Sequence, residues 1–193
     1  MVKLFAFILF ITTLPIYPVL YVLIKLSSPG PFIFRQKRMG KNKKIFTMYK
    51  FRTMIKNAEK LKEKYIDLNE TSGPAFKIKN DPRYTKIGKI LARSAIDELP
   101  QLIDIIKGEM TFVGPRPLPV NESQKIPKKY DARFSVLPGL TSPWVVEGSH
   151  RLSFSKWMRL DVEYTKNKNT WYDIKIIGKT IVLIIKSILT LYD

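Results

Sequence analysis

Residues 94 to 116 read SAIDELPQLIDIIKGEMTFVGPR and place two adjacent carboxylates, Asp97 and Glu98, at the predicted start of a short helix. Pro100 cannot lie inside a helix because its ring would clash with the carbonyl four residues earlier, so the helix is predicted to begin near Ser94 to Asp97. The unpaired N–H groups and the positive dipole end of a first turn would keep Asp97 ionised and fixed in place. Asp97 is therefore predicted either to cap the helix or to act as a nucleophile or metal ligand.

The rest of this stretch predicts an apolar helix face, a strand and a rigid basic turn. Gly108 is expected to end the helix, whose apolar face would be formed by Leu99, Leu102, Ile103 and Ile106. A short strand from Met110 to Val113 would then return the chain, so that Arg116 comes back near Asp97. Prolines on both sides of Arg116 restrict its backbone, and a rigid guanidinium close to two carboxylates is suited to bind phosphate.

The same stretch resembles the signature of the bacterial sugar transferases, the monotopic phosphoglycosyl transferases that begin polysaccharide and glycoconjugate synthesis on a polyprenyl carrier. The resemblance continues, in the order found in the family, through FRQKRMG (34–40), YKFRTM (49–54), FKIKNDPR (76–83) and LPGLT (137–141). These motifs cover nearly the whole chain, and together they are highly specific for the family.

The resemblance implies roles for individual residues. Asp97 would attack the β-phosphate of a nucleoside diphosphate sugar, and Glu98 would help to hold Mg²⁺. Asp161 would support the site, either as a metal ligand or by holding a metal ligand in place, or it would pair with Arg159 at the surface. The residues expected to bind substrate phosphates or to support the site are Arg116, Arg93, Lys50, Arg52 and Thr141.

The composition indicates one basic domain with an anionic partner. A chain of 193 residues is long enough for one compact domain. Its net charge of +18 arises from 34 Lys and Arg against 16 Asp and Glu. Such an excess predicts phosphorylated substrates, an anionic membrane surface or nucleic acid as the partner. The chain has no cysteine, which excludes disulfides and thiolate chemistry.

The N-terminal segment is predicted to enter the membrane. No charged residue lies between Lys3 and Lys25, and this run of 21 residues is long enough to cross a bilayer. Pro15 and Pro18 oppose a straight helix, so a helix–break–helix that enters the inner leaflet and returns is favoured, in line with the resemblance. Residues 35–64 contain 12 Lys or Arg and two acids, which predicts that the following domain faces the cytoplasm.

Alternation, caps and turns predict the elements of the domain. Two strands at 32–36 and 45–51 are expected to form a hairpin, followed by an amphipathic helix at about 55–69 and a second helix at 84–93. Residues 137–141 are predicted to form a loop, and Ser153 is expected to cap a further helix.

The last segment, 173–192, is predicted to form an amphipathic helix. Lys175, Lys179 and Lys186 fall within roughly 40° of each other at the helical period. A narrow basic stripe on an apolar helix fits a membrane interface or a pocket against the core. A second transmembrane span is disfavoured because all three lysines would have to lie in hydrocarbon.

The chain departs from the family pattern at two places near the predicted site. Ala92-Arg93 stands where the family often has two basic residues. After Thr141, residues 142–149 read SPWVVEGS, whereas the family often has Gly-x-Trp-Gln-Val-x-Gly-Arg. The only histidine, His150, is interpreted as a bystander because a lone loop histidine more often has no catalytic role.

These predictions define a membrane-bound α+β enzyme with a re-entrant segment at 1–26 and a catalytic domain at 27–193, on the cytoplasmic face of a bacterial inner membrane. By resemblance it would transfer a sugar-1-phosphate from a nucleoside diphosphate sugar to polyprenyl phosphate through an aspartyl intermediate. The expected donor is a UDP-sugar. Its partners would be these substrates, Mg²⁺ and inner-membrane lipid, without nucleic acid, and a homodimer is left open. The alternatives are a non-catalytic basic module tethered to the membrane, which binds anionic lipid or nucleic acid, and a degenerate inactive relative.

Overall fold

The computed structural model describes residues 1–71, 73–78, 80–148 and 152–189, so His150 and residues 190–192 of the predicted C-terminal helix lie outside it. Within these residues the chain contains both helices and short strands, which confirms the predicted α+β class. In chain order the elements are α1 Val2–Thr13, α2 Tyr17–Ser27, β1 Ile33–Met39, β2 Ile45–Phe51, α3 Lys86–Arg93, α4 Gln101–Lys107, β3 Thr111–Val113, α5 Val120–Ser123, β4 Gly139–Thr141, α6 Pro143–Val146, α7 Phe154–Asn167 and α8 Thr170–Leu189.

The N-terminal segment contains the predicted interruption. A 3₁₀ turn at Leu14–Ile16 joins α1 to α2, and Pro15 within it has no N–H to continue an α-helix. Thr13 Oγ1 donates to the carbonyl of Phe10 at 2.9 Å, which satisfies a backbone acceptor next to the interruption. Within the described part of the chain, Val2–Ser27 is the one helical stretch that is long and apolar enough to cross a membrane by length and composition.

Both halves of this segment pack against the same domain. Ala6 of α1 is fully buried in an apolar cluster with Leu102 and Ile105 of α4. Ile24 of α2 is also fully buried, and it lies in a second cluster with Phe51 at the end of β2. The domain therefore contacts the segment on both sides of the interruption.

The apolar face around α4 includes three of the four predicted residues, and Ile105 adds to it. Leu102 and Ile105 are buried, whereas Leu99, Ile103 and Ile106 are only partly buried. Leu99 and Ile106 pack against the apolar cluster that contains Leu102 and Ile105, whereas Ile103 is not part of that cluster. Gly108 ends α4 with a φ of 83°, in the left-handed conformation that favours glycine, as predicted.

The basic region after the membrane segment forms the predicted hairpin. Strands β1 and β2 are antiparallel, with Ile33 opposite Phe51 and Met39 opposite Ile45. The α-helix predicted at 55–69 is wrong, because the chain there forms a 3₁₀ segment at Lys60–Leu68. None of the residues in this segment is buried, so no packed apolar face stabilises an α-helix.

The C-terminal third contains one strand that was not predicted. Residues Gly139–Thr141 form β4, which pairs in parallel with β3, so the loop predicted at 137–141 is wrong in its second half. Ser153 caps α7 as predicted, since its side chain accepts a hydrogen bond from Lys156 N. The last helix, α8, exposes much of its apolar surface, including 65% of Trp171.

Candidate active site

The two predicted carboxylates lie on a 3₁₀ turn between α3 and α4, not in the first turn of an α-helix. The turn comprises Ile96–Glu98 and follows Ala95, whose φ of 57° lies in the left-handed region. This left-handed residue changes the direction of the backbone directly after α3, and α4 begins only after Pro100. As a result Asp97 is buried, with 5% of its surface exposed.

Two basic side chains from distant parts of the sequence converge on these carboxylates. Lys50 of β2 places its Nζ 3.3 Å from Asp97 Oδ2 and 2.5 Å from Glu98 Oε1. Arg116 donates from Nη2 to the same Glu98 oxygen at 3.0 Å. The predicted proximity of Arg116 to the carboxylate pair is therefore present, and Lys50 completes a compact cluster of two acids and two cations.

The pKa values of the two carboxyl groups shift in opposite directions. Burial, together with the negative charge of Glu98, raises the pKa of Asp97 above its ordinary value, although Lys50 opposes this effect. Burial also disfavours the ionised form of Glu98, but Lys50 and Arg116 outweigh it and lower the pKa of Glu98 to about 2. The expectation that a helix N-terminus keeps Asp97 ionised is wrong, since no α-helix begins there and Lys50 is the group that favours its charge.

The position of Arg116 depends on the parallel pair β3–β4. Val113 of β3 lies opposite Thr141 of β4, and the turn that carries Arg116 follows directly. A Cβ atom at Gly139 would lie 2.0 Å from the backbone nitrogen of Gly114, so this close approach requires glycine. Thr141 is buried, and its hydroxyl lies 2.7 Å from that of Thr180 in α8. Thr141 thus supports the strand and has no contact with the carboxylates.

Three further residues lie within electrostatic reach of the cluster, although the sequence reasoning did not assign them to the site. Burial and the positive charge of Arg116 lower the pKa of Lys77 to about 7, and the Lys77 ammonium lies 4.4 Å from the ring centre of Trp144. Burial and Arg116 also lower the pKa of Arg38 to about 10. Burial and the charge of Asp97 raise the pKa of Tyr84 to about 12. Arg38 and Lys77 lie in two of the family motifs, and these motifs were the signal in the sequence that could have assigned them to the site.

Two predicted phosphate-binding residues lie elsewhere. The Arg52 guanidinium is buried and donates to the carbonyl oxygens of Ile24 and Ser28, at the end of α2. Both bonds come from Nη2, and Nη1 has no hydrogen-bond partner among the described residues. Arg52 therefore supports the exit of the membrane segment, and its binding of substrate phosphate stays a prediction. Arg93 is partly exposed at the end of α3, and among the described residues it forms no ion pair with the carboxylates.

Asp161 pairs with Arg133 and not with Arg159, which is exposed. Its Oδ2 accepts hydrogen bonds from Arg133 Nε at 3.0 Å and from Arg133 Nη2 at 2.8 Å. The same Nη2 also donates to the backbone oxygen of Arg116 at 2.8 Å. Burial raises the pKa of Asp161 to about 6, against the opposing effect of Arg133. Asp161 therefore reaches the site through the backbone of Arg116.

The donor set at the site suits a magnesium ion that is shared with a phosphorylated substrate. Among the described residues, no three His, Cys, Asp or Glu side chains lie together so that they could hold a metal ion by themselves. Mg²⁺ typically uses one or two carboxylates and completes its coordination with substrate phosphates and water. Asp97 and Glu98 provide such carboxylates, with Oε1 of Glu98 engaged by Lys50 and Arg116.

Comparison with known proteins identifies the family. The family model described as bacterial sugar transferase matches residues 2–187. The galactosyl transferase CpsE of Streptococcus agalactiae is 41% identical over 157 residues, which cover 81% of this chain and 35% of that protein. The UDP-glucose:undecaprenyl-phosphate glucose-1-phosphate transferase of Escherichia coli is 35% identical over 175 residues, 86% of this chain and 35% of that protein.

A third relative is similar over most of its length. The exopolysaccharide production protein ExoY of Rhizobium meliloti is 33% identical over 171 residues, which cover 86% of this chain and 76% of that protein. In contrast, the chain spans about a third of the length of the streptococcal and Escherichia coli relatives, 35% in each case.

Proposed function

The chain belongs to the bacterial sugar transferase family, and from this premise we propose that it transfers a sugar-1-phosphate from a UDP-sugar to polyprenyl phosphate. The observation that carries the proposal is the cluster of Asp97, Glu98, Lys50 and Arg116. It combines a buried carboxylate with two fixed cations, which is the combination that covalent phosphoryl transfer requires. The name of the Escherichia coli relative includes both UDP-glucose and undecaprenyl phosphate, which supports this choice of substrates.

In the first proposed step, a carboxylate oxygen of Asp97 attacks the β-phosphorus of the UDP-sugar. The bond between that phosphorus and the bridging oxygen breaks, so UMP leaves and the phospho-sugar stays on Asp97 as a mixed anhydride. In the second step, a phosphate oxygen of the polyprenyl carrier attacks the same phosphorus and displaces the Asp97 carboxylate. The contact with Lys50 favours the ionised form of Asp97 that the first step needs.

The basic residues around Asp97 serve the transferred phosphate. Arg116 and Lys50 both donate to the same oxygen of Glu98. Both can bind phosphoryl oxygens once a substrate competes with Glu98 for them. Lys77 adds a third basic group, held over the ring of Trp144, and a bound phosphate would favour its protonated form. A magnesium ion held by Asp97 and Glu98 would neutralise the diphosphate and favour the ionised carboxylates.

The proposed location is the cytoplasmic face of a membrane, with the N-terminal segment entering and leaving the same leaflet. The burial of Ala6 and Ile24 against one domain favours this topology, because a helix that crossed the bilayer would separate its two ends by about 30 Å of hydrocarbon. One substrate is soluble and the other lies in the leaflet, so a site next to this segment could serve both. The basic excess of residues 35–64 supports a cytoplasmic position for the domain.

The test is UMP release from a panel of UDP-sugars, including UDP-glucose and UDP-galactose, with Mg²⁺ and polyprenyl phosphate. Wild-type protein is expected to release UMP with at least one sugar, whereas Asp97→Asn should release none and still bind membranes. Asp131→Asn is the matched control, since Asp131 pairs with Lys43 at the exposed surface. Full activity of Asp97→Asn, or no UMP from wild-type protein with any sugar, would contradict the proposal.

A further inference from the structure

We infer that Arg133, oriented by Asp161, is a positioning residue that fixes the backbone of Arg116 and thereby aims its guanidinium at the transferred phosphate. The inference rests on the proposed function, because it assigns to Arg116 the binding of substrate phosphate. It adds a role for a buried ion pair that lies behind the reacting groups and does not touch them.

The turn around Arg116 must be held through its carbonyl groups. Pro115 and Pro117 have no N–H, so the backbone on either side of Arg116 cannot donate hydrogen bonds to a neighbouring strand. Gly139 N donates to the oxygen of Pro115 at 3.1 Å. Arg38 Nη1 donates to the oxygen of Pro117 at 2.9 Å. The oxygen of Arg116 itself accepts its hydrogen bond from Arg133 Nη2 at 2.8 Å.

The Arg133 guanidinium is in turn held in one orientation by Asp161. Arg133 is 3% exposed and Asp161 is fully buried, so neither side chain exchanges its partner for water. Two nitrogens of Arg133 donate to Asp161 Oδ2, which fixes the plane of the guanidinium and directs Nη2 at the oxygen of Arg116. A lysine would keep the charge, but its single ammonium could not reproduce this planar set of three bonds.

A continuous set of contacts therefore runs from α7 to the carboxylates. It passes from Asp161 to Arg133, from Arg133 to the backbone of Arg116, and from the Arg116 side chain to Glu98 at 3.0 Å. A buried ion pair often stabilises a fold no better than apolar residues of similar size would, because both charges lose their hydration. Stability alone is thus a weak explanation for this pair, whereas positioning of Arg116 uses its geometry directly.

The experiment is a double-mutant cycle between Arg133→Lys and Arg116→Lys, with kcat and KM for the UDP-sugar measured for all four proteins. Arg133→Lys alone is expected to lower kcat/KM by roughly tenfold or more, since the Arg116 guanidinium is no longer aimed. In the Arg116→Lys background the same change should cost less than about twofold. Arg159→Lys is the matched control, an exposed arginine on the helix of Asp161, and should leave kcat/KM unchanged.

A second measurement does not depend on turnover. Calorimetric binding of inorganic pyrophosphate, with Mg²⁺ present, should weaken by a similar factor in Arg133→Lys and Arg116→Lys. Asp161→Asn keeps the size of the side chain and an acceptor oxygen, so it provides a milder variant if Arg133→Lys lowers the melting temperature strongly. It should weaken pyrophosphate binding less than Arg133→Lys does.

The outcomes separate this inference from the proposed function. Inactive wild-type protein would contradict the proposed function, whereas the pyrophosphate measurement would still test the positioning role. The inference is overturned if the two substitutions act independently, so that their effects on kcat/KM multiply. It is also overturned if pyrophosphate affinity falls in Arg116→Lys and stays unchanged in Arg133→Lys.

Discussion

At the residue scale, the central feature is that two adjacent carboxyl groups have different environments. Among the described residues Asp97 forms its one ion pair with Lys50, at 3.3 Å, whereas one oxygen of Glu98 is shared between Lys50 and Arg116. Burial therefore raises the pKa of Asp97, while the two cations lower the pKa of Glu98. Neighbouring carboxyl groups with separated pKa values commonly have separate roles. The weaker pairing of Asp97 suits a nucleophile, and the fully paired Glu98 suits a fixed anion.

Replacement of Lys50 by methionine tests this assignment. Lys50→Met removes the cation that favours the ionised form of Asp97, so the pKa of Asp97 should rise further. We expect kcat/KM at neutral pH to fall by roughly 10²-fold and the acidic limb of its pH profile to move to higher pH. Lys44→Met, at an exposed position of the hairpin, is the control. An unchanged pH profile in Lys50→Met would contradict the assignment.

A buried acid next to the site makes stability depend on pH. Asp104 of α4 is fully buried, and its Oδ2 accepts a hydrogen bond from the backbone N–H of Tyr49 at 3.2 Å. Burial raises the pKa of Asp104 to about 7. The folded state therefore binds this proton more tightly than the unfolded state, whose pKa is about 3.9. Stability from this group is fully present below pH ~4 and is lost as the pH rises through about 7.

Asp104→Asn should remove most of this dependence. Asparagine keeps an oxygen for Tyr49 N–H and carries no charge at any pH. We expect the variant to gain on the order of 2 kcal/mol relative to wild type when the pH is raised from 5 to 8. Thermal unfolding in detergent at the two pH values measures the difference, and Asp67→Asn, at an exposed position, is the control. A constant difference between Asp104→Asn and wild type would show that Asp104 does not titrate in this range.

At the element scale, the sequence predicted elements that local rules determine. The hairpin β1–β2 follows from alternation, and the end of α4 follows from Gly108. Elements that depend on distant packing were missed. Strand β4 exists because β3 lies beside it, and the 3₁₀ turn of Asp97 exists because Ala95 adopts a left-handed conformation that glycine would normally provide. A local sequence pattern shows neither that β3 lies beside β4 nor that Ala95 adopts a left-handed conformation.

The topology of the N-terminal segment gives a prediction at the same scale. Because the wild-type chain has no cysteine, Val2→Cys introduces a single reactive thiol at the start of α1. If α1 packs against α4 as Ala6 indicates, an impermeant maleimide should label this thiol from the cytoplasmic side only. Lys44→Cys, at an exposed position of the hairpin, is the control for cytoplasmic labelling. Labelling of Val2→Cys from the opposite side would show that the segment crosses the membrane.

At the scale of the whole molecule, a net charge of +18 coexists with extensive exposed apolar surface on α1, α2 and α8. Leu4 and Leu26 are 64% and 81% exposed in the N-terminal segment, and Trp171 and Leu189 are 65% and 67% exposed in α8. Isolated exposed apolar residues are common, but contiguous apolar surfaces of this kind indicate membrane or protein contact. Charge and apolar surface together fit a protein that inserts into an anionic leaflet.

A salt wash distinguishes insertion from electrostatic binding. At about 1 M salt the screening length falls to roughly 3 Å, so a module held only by its basic charge should leave anionic vesicles. We expect the full chain to remain bound after this wash and to be released by detergent, as followed by vesicle flotation. Release by salt alone would favour the alternative of a basic module that binds the lipid surface without insertion.

The site residues, like the elements, were predicted only where a sequence motif or a local rule marked them. The proximity of Arg116 to the carboxylates was predicted from the strand that returns the chain. A family motif marked Lys50 as a site residue, but its ion pairs with the carboxylates were not predicted. The same motif suggested Arg52, whose Nη2 binds the carbonyl oxygens at the end of α2, and a motif does not show which way a side chain is directed. Lys77 was missed as a site residue because its proximity arises only when residues 73–78 fold against Trp144.

The most direct test of the central claim is to locate the phospho-sugar on the chain. The protein is incubated with a UDP-sugar that supports UMP release and with Mg²⁺, but without polyprenyl phosphate, and is then analysed by intact mass and peptide mass spectrometry. The account predicts a mass increase of one sugar phosphate on the peptide that contains Asp97, lost when polyprenyl phosphate is added and absent in Asp97→Asn. An active protein that carries the adduct on another residue, or that forms no adduct at all, would contradict it.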